Sequence, residues 1–340
     1  MRTELFDYDL PGELIAQEPL PVRDASRLMV VDRLTSSIDD RGFDDLLDYL
    51  EPGDCMVVNS SRVIPARLHA TKTGTGGAVE LLLLEKLSKA RWTAMSRGAK
   101  LRPGAVLELE KGISGEIQEG PTDGVVVVAF SSGTGDVEGA LESLGEVPLP
   151  PYIHRPIEDP ERYQTVYSER AISTAAPTAG LHFTPALLEA VEAKGVAIAR
   201  LELAVGIDTF VPVREEDTDD HRMHEEWYSV GERVTREVNG CDGKVIAVGT
   251  TVVRALESAA RKAESGDRVA AASGRTSLFI TPGYEFRAVD ALVTNFHFPR
   301  STLIMLVAAF AGRSLLLEAY RHAVAERYRF YSFGDAMLVL

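Results

Sequence analysis

Residues 244–251 read Lys-Val-Ile-Ala-Val-Gly-Thr-Thr, and this stretch decides the fold. Four apolar residues followed by glycine and two threonines predict a buried strand, a tight turn and a helix from residue 252 to about residue 263. The pattern recurs around it, with helices predicted at 185–194 and 302–310 and strands at 196–203, 278–280 and 291–293. Such alternation of strands and helices predicts an α/β layer.

Two earlier regions have a different pattern of apolar and turn residues. Before about residue 66 the pattern is mixed, with buried strands predicted at 28–31 and 56–58 and a helix at 43–50. Between 67 and 147, short apolar runs (79–84, 92–95, 106–109 and 125–128) are separated by Gly- and Pro-rich segments such as 131–139. Closely spaced strands with turn residues between them predict a small β-barrel or sandwich. The chain is therefore interpreted as one domain interrupted by another.

Composition sets outer limits on function. The chain has 340 residues, enough for two domains. Its net charge of −15 argues against broad, nonspecific nucleic-acid binding, although a local basic strip still permits a specific RNA contact. Two cysteines cannot form a disulfide framework, the first residues lack an apolar core, and no apolar run is long enough to span a bilayer. We expect a cytoplasmic protein without a membrane partner, and by default a monomer.

Residues 175–184 read Ala-Ala-Pro-Thr-Ala-Gly-Leu-His-Phe-Thr. Small residues let a backbone approach a ligand closely, Gly180 permits dihedrals that a Cβ forbids, and His182 titrates near neutral pH. These features are typical of a ligand-contacting loop with a candidate acid or base. A Pro/Gly turn before a helix that begins near Thr184 explains the same residues equally well.

Two strand-turn-helix junctions are further candidates for a binding site. Hydroxyl groups and free backbone N–H groups at Thr250 and Thr251 are typical of ligand sites at the carboxyl ends of α/β sheets, and Arg254 lies one turn into the helix. The alternative is that a threonine only caps the helix while Arg254 pairs with an acid such as Glu257. In the second junction, an amide, an imidazole and a guanidinium lie within six residues, with a serine that can cap the next helix: Asn295, His297, Arg300 and Ser301. These are more polar groups than a turn needs, which favours a functional site; the alternative is that His297 is a structural histidine.

A short histidine motif, His221-Arg222-Met223-His224-Glu225, superficially suggests zinc. It lacks the H-E-x-x-H spacing, and no third ligand follows from the sequence. We therefore predict no metal.

These segments, with several others, match in order the motifs of a known family. The blocks are 14–17, 23–28, 59 with 62–67, 162–167, 175–184, 248–251 with 254, 294–303, and 328–330 with 334–337. In this order they resemble the S-adenosylmethionine:tRNA ribosyltransferase-isomerase family from end to end. The resemblance implies the fold class α/β: a large mixed α/β domain (1–66 and 148–340, discontinuous) with a smaller all-β barrel domain (67–147) inserted.

The resemblance also implies a reaction. The family transfers and isomerises the ribosyl part of S-adenosylmethionine, its co-substrate, onto 7-aminomethyl-7-deazaguanine at the wobble position of tRNA, and gives epoxyqueuosine without a metal. This chemistry needs a base beside the sulfonium and an acid for the departing adenine. The expected catalytic residues are His182, His297 and Asp335. The expected substrate-binding residues are Asn59, Arg62, Pro177, Thr178, Gly180, Thr250, Thr251, Arg254, Asn295, Arg300 and Ser301. The aromatic stretch 328–331 suits either stacking on a base or a buried packing anchor.

The chain departs from the family pattern at two motifs. Where the family usually reads Asn-Asp-Thr-Arg, residues 59–62 read Asn-Ser-Ser-Arg. Where the family reads Leu-His-Val-Gly-x-Gly-Thr-Phe, residues 203–210 read Leu-Ala-Val-Gly-Ile-Asp-Thr-Phe, so that Ala204 replaces an imidazole and Asp208 a glycine. Three hypotheses remain: the tRNA-modifying transferase, an S-adenosylmethionine-binding paralogue that acts on a small acceptor, and a non-catalytic binding protein. The acidic net charge favours the second, and Ala204 is what favours the third.

Overall fold

The computed structural model describes residues 1–122, 124–206 and 212–340. Within these ranges the strands are β1 (Arg27–Asp32), β2 (Ser37–Gly42), β3 (Cys55–Asn59), β4 (Ser61–Val63), β5 (Arg67–Lys72), β6 (Gly77–Lys86), β7 (Arg91–Gly98), β8 (Val106–Glu108), β9 (Ile113–Thr122), β10 (Val125–Ser132), β11 (Arg170–Ser173), β12 (Ala197–Leu203), β13 (Glu226–Val230), β14 (Val245–Val248), β15 (Ala272–Thr276), β16 (Ala291–Asn295) and β17 (Ala336–Val339). The α-helices of the described ranges are α1 (Val137–Leu144), α2 (Pro185–Ala193), α3 (Glu232–Asn239), α4 (Thr250–Ala260), α5 (Thr302–Ala311) and α6 (Arg313–Ala325).

The chain forms two compact units. The larger contains Met1–Arg62, Pro150–Arg170 and Ala176–Leu340, and the smaller contains Val63–Leu149 and Ala171–Ala175. In the smaller unit, six described strands close into an antiparallel barrel in the order β10-β7-β6-β5-β8-β9. The fold class expected from the sequence, a mixed α/β sheet with a β-barrel, is confirmed. The domain boundaries at 66/67 and 147/148 stay a prediction.

A mixed sheet organises the larger unit, with the described strands in the order β15-β13-β12-β3-β14-β16-β17-β1-β2. Its centre is parallel, because β12, β3, β14 and β16 run in one direction. The strands β17 and β1 are parallel to each other and run opposite to β16. Consequently, the carboxyl ends of the four central strands and the amino ends of β17 and β1 lie along the same edge of the sheet.

Apolar side chains cover the sheet on both faces. One buried cluster joins the sheet residues Met56 and Val248 to Phe43, Phe183 and other side chains of the helical segments. Each residue of α4 is buried, and so are eight of the ten residues of α5. Burial at this scale explains why the apolar strand runs were recognisable in the sequence. Among the described residues, no single helix is both long enough and apolar enough to cross a membrane.

Two sequence predictions differ from the structure. Residues 278–280 were predicted as a strand, and this is wrong: the Leu278 N–H donates to Thr276 Oγ1 at 3.2 Å and its carbonyl accepts from Arg254 Nε at 3.0 Å, so these groups do not join a ladder. The strand of this region is β15, which precedes the apolar run. The predicted loop 131–139 runs into α1, because Asp136 caps that helix by accepting from the Gly139 N–H at 3.1 Å.

Candidate active site

The site candidates converge on the carboxyl edge of the parallel strands. The strand β16 ends at Asn295, and β14 ends at Val248, directly before Gly249. The amino end of β17 lies opposite the end of β16, since Ala336 pairs with Asn295. In open α/β sheets this edge is where ligands bind.

A cavity with about 510 Å³ of empty space opens at this edge. We call it the first cavity. Its walls come from the 176–179 segment, the start of α4 and the segment after β16, and its lining residues are Tyr152, Ala176, Pro177, Thr178, Ala179, Val205, Gly249, Thr250, Thr251, Thr294, Asn295, Phe296, His297, Phe298, Leu303, Tyr331 and Ser332.

A second cavity, with about 1070 Å³ of empty space, shares Thr250, Thr251 and Leu303 with the first. Its other lining residues include both apolar side chains and charged or histidine side chains: Gly206, Pro212, Arg214, Glu215, His221, Met223, His224, Glu225, Glu226, Arg254, Leu278, Phe279, Ile280, Thr302 and Leu306. The N-terminus of α4 therefore forms a wall common to both cavities.

The beginning of α4 leaves polar groups without protein partners. Gly249 occupies a left-handed conformation with φ 95°, which a residue with a Cβ rarely adopts, and it accepts hydrogen bonds from the N–H groups of Val252 and Val253. The preceding N–H groups, of Thr250 and Thr251, have no acceptor among the described residues. Neither threonine caps the helix, and Thr251 Oγ1 is buried without a hydrogen-bond partner. The free N–H groups at the start of a helix are ready partners for an anionic ligand.

Arg254 lies in the wall of the second cavity but is fully engaged by protein groups. It forms an ion pair with Glu226, and its Nε donates to the carbonyl of Leu278 at 3.0 Å. The pairing with Glu257 that the sequence suggested is wrong, because Glu257 instead accepts from Tyr284 and from two backbone N–H groups. Arg254 thus holds Glu226 in place.

A chain of hydrogen bonds runs behind the first cavity. Thr178 Oγ1 donates to Asn295 Oδ1 at 2.9 Å, Asn295 Nδ2 donates to His182 Nε2 at 3.1 Å, and His182 Nδ1 lies 2.8 Å from Ser26 Oγ. Burial, followed by the nearby positive charges of Arg329 and Arg23, lowers the pKa of His182 to about 3. The imidazole is therefore neutral at pH 7, and it contacts the first cavity only through Asn295.

His297 lines the first cavity directly. Its Nε2 lies 2.8 Å from Thr294 Oγ1, its backbone N–H donates to Tyr320 Oη at 2.9 Å, and its carbonyl accepts from Tyr8 Oη at 2.6 Å. Burial lowers the pKa of His297 to about 3, and Nδ1 has no partner among the described residues. His297 is a fixed, neutral imidazole with one nitrogen available to a ligand.

Comparisons with known proteins agree with this architecture. The family model described as queuosine biosynthesis protein matches residues 3–339. The chain belongs to that family. It is 53% identical over 345 residues to the S-adenosylmethionine:tRNA ribosyltransferase-isomerase of Symbiobacterium thermophilum, covering 100% of both chains. It is also 53% identical to the protein of that name from Pelotomaculum thermopropionicum, covering 98% of both. A crystal structure of S-adenosylmethionine tRNA ribosyltransferase from Thermotoga maritima is 41% identical, with a TM-score of 0.57, covering 99% of this chain and 100% of that one.

The departure from the family motif lies between the two cavities. Val205 lines the first cavity and Gly206 the second. Ala204 lines neither, and its N–H donates to the carbonyl of Trp227 at 2.8 Å. Asp208 lies outside the described residues.

Two expected site residues lie at the same edge but outside the cavities. Asp335 accepts from the backbone N–H of Arg27 at 3.0 Å and of Arg329 at 2.8 Å, and burial raises the pKa of its carboxyl group. Asn59 binds both the N–H and the carbonyl of Leu203. Both side chains are used to join chain segments.

Ser301 and Arg300 also lie outside the walls of the two cavities. Ser301 caps α5 by accepting from the Ile304 N–H at 3.2 Å. Arg300 Nη2 lies 3.5 Å from Thr3 Oγ1, and Arg300 is not among the lining residues of either cavity.

Arg62 and Gly180 also have structural partners. Arg62 pairs with Glu161 and is absent from both cavity walls. A Cβ on Gly180 would lie 2.0 Å from Tyr167 Oη, so this glycine permits a close approach to a tyrosine inside the protein.

An aromatic wall was only partly recognisable in the sequence. Tyr328 and Phe330 are fully buried packing anchors, whereas Tyr331 lines the first cavity. Tyr331 packs against Phe298 and Tyr152, with ring centroids 4.1 Å and 4.8 Å away. Tyr152 was missed because nothing near it in the sequence signals a site; only the fold brings it into contact with Phe298 and Tyr331.

The His221 motif lines the second cavity. His221 Nδ1 lies 3.0 Å from Glu215 Oε2, and its ring packs edge-on against Phe279. No cluster of three or more potential metal ligands occurs in the described part of the chain.

Proposed function

We propose that this protein is an S-adenosylmethionine:tRNA ribosyltransferase-isomerase. It transfers and isomerises the ribosyl moiety of S-adenosylmethionine onto 7-aminomethyl-7-deazaguanine in tRNA, releases adenine and methionine, and forms epoxyqueuosine. The observation that carries the proposal is the pair of joined cavities at the carboxyl edge, with unpartnered donors of α4 on their common wall. The first cavity lies at the edge of the sheet where ligands bind in open α/β folds.

Proton transfer is assigned to His297. A proton next to the sulfonium must be removed, and a neutral imidazole with a free nitrogen is in the correct form to accept it. Burial keeps the His297 imidazole unprotonated at pH 7 by lowering its pKa, and a proton that it accepts can be passed on to the departing adenine. His182 and Asp335 are assigned as positioning residues, because they act through Asn295 and through the backbone of the 329–335 segment.

The remaining groups of the first cavity bind and orient the nucleoside. The aromatic wall of Tyr152, Phe298 and Tyr331 offers ring faces for stacking on a base. Thr178, Pro177 and Asn295 line the first cavity together with the start of α4. We assign the ribosyl group of the co-substrate to the space between them.

The remaining expectations belong to this proposal. The partner is tRNA carrying the precursor base at its wobble position, no metal takes part, and the protein acts in the cytoplasm as a monomer. Residues 67–147 form the inserted domain, and residues 1–66 with 148–340 form the catalytic domain. The second candidate function, transfer to a small acceptor, is favoured by the net charge of −15.

The test is an incubation of the purified protein with S-adenosylmethionine and tRNA carrying the aminomethyl-deazaguanine base. The tRNA is digested and its nucleosides are analysed by mass. Epoxyqueuosine supports the proposal, and a matched tRNA with unmodified guanine at the wobble position serves as the control. Release of adenine without a modified nucleoside, in the presence of small amine acceptors, would favour the second candidate. A protein that binds S-adenosylmethionine and releases nothing is non-catalytic.

A further inference from the structure

The common wall of the two cavities has the properties of an anion site. The helix α4 has 11 residues, and its first N–H groups, at Thr250 and Thr251, lack acceptors among the described residues. The hydroxyl of Thr251 provides an independent observation, because the residue is 8% exposed and Oγ1 has no partner. A helix N-terminus and an unsatisfied hydroxyl at one place are matched by a ligand with negatively charged oxygen atoms.

The enclosure of the site distinguishes among anions. Thr250 and Thr251 are 6% and 8% exposed, and the space beside them is a cavity with an apolar wall of Leu303, Leu278 and Ile280. A phosphate inside a polynucleotide brings two ribose neighbours and further negative charges with it. A carboxylate at the end of a flexible apolar chain fits such a compartment better.

The charges of the second cavity favour a cation near that carboxylate. Arg254 is neutralised by Glu226, while two exposed side chains of the lining, Glu225 and Arg214, have no ion-pair partner among the described residues. Free charges of opposite sign in one compartment complement a ligand that itself carries both a carboxylate and an ammonium group. The compartment therefore matches an α-amino acid with an apolar side chain.

We propose that the N-terminus of α4 binds the α-carboxylate of the methionyl part of S-adenosylmethionine, with its α-ammonium group directed towards Glu225. This subsite rests on the proposed function, since it supposes that S-adenosylmethionine is the co-substrate. The second cavity then holds the methionyl chain, and the sulfonium lies near the shared residues, next to the first cavity. Thr251 is a binding residue in this arrangement.

The experiment measures binding without turnover. Isothermal titration calorimetry compares S-adenosylhomocysteine with its decarboxylated analogue on the wild type, T251V and T251S, and T235V is the matched control on the surface of α3. We expect wild type to bind the decarboxylated analogue at least 10-fold more weakly. T251V should lose about 10-fold in affinity for S-adenosylhomocysteine and nothing for the analogue, whereas T251S should stay within about threefold of wild type.

Two further measurements separate this role from a structural one. T251V should unfold at the same or a higher temperature than wild type, because it removes an unsatisfied buried hydroxyl. E225Q should weaken the binding of S-adenosylhomocysteine but not the binding of its deaminated analogue. Equal affinities of wild type for the carboxylated and decarboxylated ligands overturn the proposal. A loss of tRNA affinity in T251V, with S-adenosylhomocysteine binding unchanged, also overturns it and identifies a phosphate site.

Two outcomes distinguish failure of the proposed function from failure of the carboxylate subsite. If wild type forms no epoxyqueuosine but binds S-adenosylhomocysteine in a carboxylate-dependent way, the subsite stands and the tRNA reaction does not. If epoxyqueuosine forms and the carboxylate has no effect on binding, the reaction stands and the subsite does not.

Discussion

Substitution of Gly180 by alanine should destabilise the larger unit by about 3 kcal/mol. An ideal Cβ at this position would lie 2.0 Å from Tyr167 Oη and 2.8 Å from Thr165 Cγ2, well inside van der Waals contact. Tyr167 is buried and its ring packs against Phe183, so the hydroxyl cannot swing away without disturbing the core. Overpacking of a dense core typically costs about 1–3 kcal/mol, and a contact this short belongs at the upper end.

The assay is urea unfolding followed by tryptophan fluorescence in a W92F background, where Trp227 on β13 reports the larger unit. Y167F is the matched partner, because no hydrogen bond to the Tyr167 hydroxyl is found in the described structure. The free energy of unfolding of the double variant G180A/Y167F should be at least about 1 kcal/mol higher than that of G180A, because the closest atom, Tyr167 Oη, has been removed. A G180A protein within about 0.5 kcal/mol of the background, or a double variant no more stable than G180A, would refute the packing explanation.

Three further predictions concern charge and the family motif. The pKa values of His182 and His297 are lowered from 6.5 to about 3, so their contribution to stability is complete above pH 6.5 and is lost as the pH falls towards 3. Between pH 6 and pH 4.5, the unfolding free energy of H182N/H297N should therefore decline less steeply than that of wild type, by roughly 1 kcal/mol per pH unit for each histidine. Denaturant titrations at a series of pH values measure this, and an unchanged dependence of the unfolding free energy on pH contradicts it. Because Ala204 lines neither cavity, A204H should change kcat/KM by less than about threefold, and a 10-fold gain would place that position in the reaction. Lys100 and Arg102 are exposed on the barrel unit without ion pairs among the described residues. K100E/R102E should therefore weaken tRNA binding about 10-fold and lower by about 2 the slope of log affinity against log salt concentration. Binding of S-adenosylhomocysteine is the control and should not change.

Local sequence patterns predicted the elements that build the site edge. The apolar run before Gly249 gave β14 and α4 because a buried strand, a glycine turn and a buried helix each leave a local signal. The pattern failed at 278–280, where an equally apolar run is buried as a loop. Burial alone dictates apolar residues, and whether their backbone joins a ladder depends on partners far away in the chain.

The assignment of site residues was limited in the same way, because it too depends on contacts between residues far apart in the chain. The sequence identified the segments that meet at the carboxyl edge, but it could not tell side chains that face a cavity from those that join strands. His297 and Thr251 line the cavities, whereas Asn59, Ser301 and Asp335 form hydrogen bonds with backbone groups. Such partners follow from strand order and register, which no local pattern contains.

The central claim is that ribosyl transfer takes place in the first cavity with His297 moving the proton. The most direct measurement is the single-turnover rate of epoxyqueuosine formation by H297N, with saturating S-adenosylmethionine and precursor tRNA. We predict a rate at least about 100-fold below wild type, with an affinity for S-adenosylhomocysteine within about threefold of wild type. A folded H297N protein that reacts at the wild-type rate would contradict the claim and move the chemistry away from this cavity.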